Sequence, residues 1–126
     1  YRNEIDSVQA VPDIGENDST IYNSAGIEVK PEFPGGNEKL FSFISKNFYY
    51  SDEMKQNELN GRVFASFIVE KDGSVTDIKI IRGIGFGTEN EVLRVLKLMP
   101  RWISGEQNGK KVRCSYLIPI QINGKQ

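Results

Sequence analysis

The sequence holds no histidine and a single cysteine, Cys114. No disulfide can close within the chain. Zinc sites of the usual Cys/His kind lack their ligands. Catalysis resting on a histidine base is excluded. Charge of one sign is also missing: 16 Lys and Arg against 17 Asp and Glu leave a net charge of −1. That makes no field to gather nucleic acid or anionic membrane. No apolar run nears the ~18 residues of a membrane span. The chain starts at Tyr1 without Met, and no charged n-region precedes an apolar h-region. It is expected to be an excised piece or a mature form, so the lack of a targeting segment says nothing about location.

What is present is one ordinary globular domain: 126 residues, 38% hydrophobic and 26% charged. Its organising stretch runs from Gly61 to Arg82. Two β-rich runs, Val63 to Val69 and Val75 to Ile81, flank Lys71-Asp72-Gly73. An Asp-Gly pair between such runs predicts an antiparallel hairpin. The first run places Val63, Ala65, Phe67 and Val69 on one face and Phe64, Ser66 and Ile68 on the other. Both faces are largely apolar, which predicts a central strand. Asp77 and Lys79 put one face of the second run in water.

Elsewhere the order is simple. Tyr1 to Gly26 is polar, without periodicity, and reads as a linker or arm over residues 1–28. Pro31 and Pro34 make a stiff lead-in with Phe33 against the core. Asn37 to Asn47 has an apolar face at Leu40, Phe41 and Ile44, with Asn37 as the expected N-cap. Phe48 to Tyr50 reads as extended, and Ser51 to Leu59 holds one helical turn. Thr88-Glu89-Asn90-Glu91 has the form of a capping box. Val92, Leu93, Val95, Leu96 and Met99 then follow at helical spacing, before Pro100. Trp102 reads as a core or rim plug, with a ligand-stacking role as the sharper alternative. Lys111 to Asn123 alternates at period two, and Cys114 on its apolar face is expected to be a buried, inert thiol. Pro119 points to an edge strand.

Little in the chain demands chemistry. Gly83, Gly85 and Gly87 do not have the spacing of a dinucleotide fingerprint, and no Walker Lys-Ser/Thr follows. Glu70, Asp72, Asp77, Glu89 and Glu91 each have a turn, capping or solvation role already. No enzyme, metal or cofactor is expected. The pieces predict an α+β fold over residues 29–126. It is a two-layer sandwich with a three-stranded antiparallel sheet and two helices on one face.

Several segments carry a family resemblance: Gly61-Arg62-Val63, Val69 to Val75, Met99-Pro100-Arg101-Trp102, Gly105 to Val112, and Pro119-Ile120. With the lead-in Pro31 to Gly36, which is similar to Bacteroidetes-type members, they resemble the TonB C-terminal domain from about Val29 to Ile122. The resemblance implies a periplasmic adaptor that grips the TonB box of an outer-membrane transporter. It also implies that force comes from an inner-membrane proton-driven motor through an anchoring segment outside this sequence. The grip implied is strand addition to the last strand. The expected contacts are the backbone of Val112, Arg113, Cys114, Ser115, Tyr116, Leu117 and Ile118, with Asn47 and Tyr49 from the lead-in. An open edge fits that role on physical grounds alone, and a second copy could use it to form a homodimer. Two other readings stand beside it. The chain's own arm, around Ile27 to Val29, could cap the edge. The fold could also serve as an accessory or scaffold domain of a larger envelope protein with another partner.

Overall fold

The computed structural model describes residues 19–125; of the linker or arm expected over residues 1–28, residues 1–18 lie outside them. The elements are β1 (Ile21–Asn23), α1 (Asn37–Asn47), α2 (Asp52–Gln56), β2 (Asn60–Val69), β3 (Val75–Arg82), α3 (Thr88–Lys97), β4 (Gly105–Gln107) and β5 (Lys110–Asn123). The class is α+β, as the sequence predicts. The sheet order is β1-β5-β2-β3, with β4 paired to β5. β2 is central, as its two apolar faces require. It pairs antiparallel with β5 from Asn60–Asn123 through Val69–Cys114 and antiparallel with β3.

The hairpin forms where the Asp-Gly pair places it. Glu70 N–H donates to Ser74 O at 2.8 Å, and Gly73 N–H to Glu70 O at 2.9 Å. Asp72 accepts from both the amide and the hydroxyl of Ser74, the short-range bonding that makes Asp a turn residue. One sheet face carries the core. Val63, Ala65, Phe67 and Val69 of β2 and Ile118, Ile120 and Ile122 of β5 meet Leu40 and Ile44 of α1. Met54 of α2 and Val92, Val95 and Leu96 of α3 complete the cluster. Trp102 lies within it, 4% exposed, edge-on to Phe33, Phe67 and Tyr116. The plug reading of Trp102 is therefore what the fold shows.

Four expectations need correction. Among the described residues the sheet has five strands, not three, because β1 and β4, at three residues each, are too short to show a period. Not every pairing is antiparallel: β1 runs parallel to β5, with Ile21 opposite Arg113, Tyr22 opposite Cys114 and Asn23 opposite Ser115. The last strand is thus no edge over those three residues. Its cap is Ile21–Asn23 rather than Ile27 to Val29, because Val29 instead bridges Glu106. Finally, the helix starts differ. Gly36, not Asn37, caps α1. The capping box at Thr88 does not form, since Gly87 caps α3 in the left-handed region at φ 80°. That bend brings Gly85 O to the Thr88 hydroxyl, which donates to it at 2.7 Å. Thr88 is then fully buried, and Glu91 is left to bond elsewhere.

Candidate functional site

The two ends of the sheet differ in what they offer. β3 ends the sheet on one side. Its register against β2 breaks twice, and Asp77 stands in the left-handed region at φ 53° within the second break. Bulges and the exposed charges of Asp77 and Lys79 blunt that edge against further strands.

The other side is β5, and its backbone alternates. Ser24 N–H donates to Ser115 O at 3.0 Å, so the main chain of Ser115 faces away from β2. Gly124 N–H donates to Leu59 O at 2.7 Å, so even-numbered residues face toward β2. Asn123, outward by the same parity, donates its N–H to the Tyr50 hydroxyl at 3.0 Å. The outward groups of Leu117, Pro119 and Gln121 remain. Among the described residues no strand pairs with them on that side. Leu117 and Gln121 each offer an N–H and a C=O, and Pro119 a C=O only. Proline costs nothing here, because its missing donor falls where no partner strand waits.

The rim is therefore bounded. At one end stands β1. There Arg113 donates from Nε to Glu70 Oε1 at 2.7 Å, from Nη2 to Oε2 at 3.2 Å, and from Nη1 to Ser19 O at 3.1 Å. The bidentate guanidinium holds the Glu70 carboxyl below its ordinary range. Behind this pair Ile27, Val112 and Cys114 form a small second core with Tyr22 against it. Burial pushes the Cys114 thiol up to about 11, which fits an inert thiol. At the other end of the rim stands Tyr50. Between them a groove of about 490 Å³ runs along the open stretch, with Phe41, Phe48 and Tyr50 on its helix side and Pro119, Gln121 and Arg62 on the other.

The expected site residues divide. Val112, Cys114 and Ile118 are buried, Tyr116 stacks on Phe67 at 5.5 Å, and Arg113, Ser115 and Leu117 face away from the core. The main chains of Arg113 and Ser115 are already engaged by β1, and Val112 pairs with Gly105. Asn47 and Tyr49 are tied to α3 instead. Tyr49 N–H donates to Glu91 Oε2 at 2.7 Å, and Arg94 donates to Asn47 O and to Glu91. Arg94 and the Tyr49 amide hold the Glu91 carboxyl below its ordinary range. Tyr50, the residue after Tyr49, meets β5 at Asn123, eight positions and roughly 27 Å from Ser115 at strand rise. The fold does not bring Asn47 and Tyr49 beside Val112–Ser115. Sequence reasoning missed Phe41, Phe48, Tyr50, Arg62, Pro119 and Gln121 as a groove. Its only sequence signal is an apolar helix face wider than one sheet strand can cover.

No group of three or more His, Cys, Asp or Glu side chains among the described residues could hold a metal ion, and no helix there is long and apolar enough to cross a membrane. Compared with known proteins, residues 46–122 match the family model described as Gram-negative bacterial TonB protein C-terminal. The fold is similar to a solution structure of the Helicobacter pylori TonB C-terminal domain, residues 194–285. Its TM-score is 0.53 at 26% identity, over 71% of this chain and 94% of that one. A longer form of the same domain, residues 179–285, matches at TM-score 0.53 and 24% identity, over 71% of this chain and 80% of that one, and shows likeness of fold alone. Among curated protein sequences none matches the chain.

Proposed function

The chain belongs to the family of Gram-negative bacterial TonB C-terminal domains, and from that premise we propose that it grips the TonB box of an outer-membrane transporter by strand addition to β5. Domains of this family are periplasmic transducer modules and not enzymes. On this reading residues 29–126 are the gripping domain. The arm over residues 1–28 leads back toward an inner-membrane anchor and a proton-driven motor. The observation that supports the reading is the open rim at Leu117, Pro119 and Gln121, bounded by β1 and Tyr50. An extended peptide there would satisfy main-chain groups that no strand among the described residues pairs with. A row of such bonds also shares a pulling load along the strand, which suits a joint that transmits force. Of the rest of the expected contact, the outward main chain of Arg113 and Ser115 becomes available only when β1 leaves, while Val112 stays paired with Gly105.

The test is a titration of the isotope-labelled domain with a TonB-box peptide. The amides of Leu117 and Gln121 are expected to shift first and furthest, with those of Tyr50 and Ile120 beside them. Shifts confined to β3 or to α3 would overturn the reading. A second copy's strand would occupy the same rim, so any homodimer is expected to dissociate as the peptide binds.

A further inference from the structure

Resting on the strand-addition reading, we propose that the rim is selective: it takes an extended segment whose side chains alternate apolar and polar, with one carboxylate on the polar side seated against Arg62. The groove straddles the rim, so it presents a different surface to each face of an added strand. Side chains of a β-strand alternate between faces. Those on the core side would meet Phe41, Phe48 and Tyr50. Phe41 is 49% exposed, an apolar surface that the domain's own core leaves uncovered. Those on the other side would meet Pro119 and Gln121 directly and Arg62 from one strand further in, since Arg62 of β2 stands opposite Gln121 in the register and lines the same groove.

The charge on that second side is not balanced. No carboxylate lines the groove, and among the described residues Arg62 has no ion-pair or hydrogen-bond partner. The other arginine on this face of β5 and β2, Arg113, is already engaged by Glu70 and Ser19 O through all three of its nitrogens. Arg62 is thus the cation left to receive an anion at the rim. A guanidinium matches a carboxylate with two parallel donors, which fixes register as well as adding attraction. Main-chain pairing alone cannot fix register, since a strand shifted by two residues makes the same bonds. In this arrangement Arg62 is the residue that sets which of those registers is occupied.

The experiment uses the end-blocked heptapeptide Thr-Val-Glu-Val-Thr-Val-Thr, its Glu→Gln form, and a form with each Val replaced by Ser. Each is titrated into the labelled chain and into Arg62→Gln, with amide shifts and affinities recorded. Arg62 is exposed, so the variant should fold, and its unperturbed spectrum checks this. The Glu peptide is expected to bind roughly threefold to fivefold more tightly than the Gln peptide, in the range of an exposed ion pair. That preference should vanish in Arg62→Gln and shrink as salt is raised. The Val→Ser peptide should lose the shifts at Phe41 and Phe48. Equal binding of Glu and Gln peptides with shifts still centred on Leu117 and Gln121 would overturn the selectivity while leaving strand addition standing. No rim shifts with any peptide would overturn both.

Discussion

Trp102 N–H donates to Gly73 O at 2.8 Å, and a Cβ added to Gly73 would lie 2.0 Å from Trp102 O. The hairpin turn and the segment after α3 are therefore in backbone contact, with no room for a side chain between them. Gly73 also sits at φ 89°, where a Cβ is strained whatever the space. The substitution Gly73→Ala is expected to cost about 2 kcal/mol or more. Chemical denaturation read by Trp102 fluorescence would measure it. A loss under about 0.5 kcal/mol would show that the turn can shift away from Trp102 without penalty.

Cys114 reports on β1. The thiol is fully buried and raised to about 11, so roughly one in a thousand is ionised at pH 8. A disulfide reagent should label the folded chain slowly. Removing residues 1–26 uncovers the second core and should raise the rate at least about tenfold, through both access and thiolate fraction. A peptide bound only at Leu117 to Gln121 should leave the rate unchanged. Acceleration on adding peptide would show instead that the peptide displaces β1.

The Glu70–Arg113 pair gives an acid limb to stability. The folded-state carboxyl is held below its ordinary 4.5, chiefly by Arg113. A depressed carboxyl contributes stability above the unfolded value, and that contribution is lost as pH falls through the folded value. The loss should begin near pH 4.5 and deepen below it. Glu70→Gln is expected to cost about 1 kcal/mol at pH 7 and to flatten this limb. Thermal melts from pH 7 to pH 3 would check both, and an unchanged limb would place the acid sensitivity elsewhere.

Glu91 and Arg94 clasp the lead-in. Glu91→Ala removes the acceptor of the Tyr49 amide and one partner of Arg94. Hydrogen exchange at Tyr49 should then rise by about tenfold, the equivalent of ~1.4 kcal/mol, while exchange in β2 stays as it was. Matching acceleration throughout β2 would mean that the clasp supports the whole fold rather than one segment.

Asp77 holds a left-handed conformation inside β3. The position suits glycine, so Asp77→Gly should stabilise by roughly 0.5 kcal/mol, and Asp77→Val should destabilise by more than 1 kcal/mol. Denaturant midpoints with unchanged slopes would confirm it.

The sequence by itself determined the hairpin, the central place of β2, the amphipathic helices α1 and α3, the buried face of β5 and the family. Each is written in neighbouring residues: a turn pair at 72 and 73, a period of two, a period near 3.6. It also showed through Pro119 that one side of the last strand would lack a partner. Only the tertiary structure decided where that open stretch begins and ends. β1 has three residues and no periodic signature, and it meets β5 across some 90 positions of chain. Tyr50 closes the other end through one hydroxyl. Capping in place of the Thr88 box turned on the dihedral of Gly87, which side-chain pattern does not encode. The groove beside the rim is likewise a product of packing, because Phe41, Arg62 and Gln121 become neighbours only when helix and sheet are laid together.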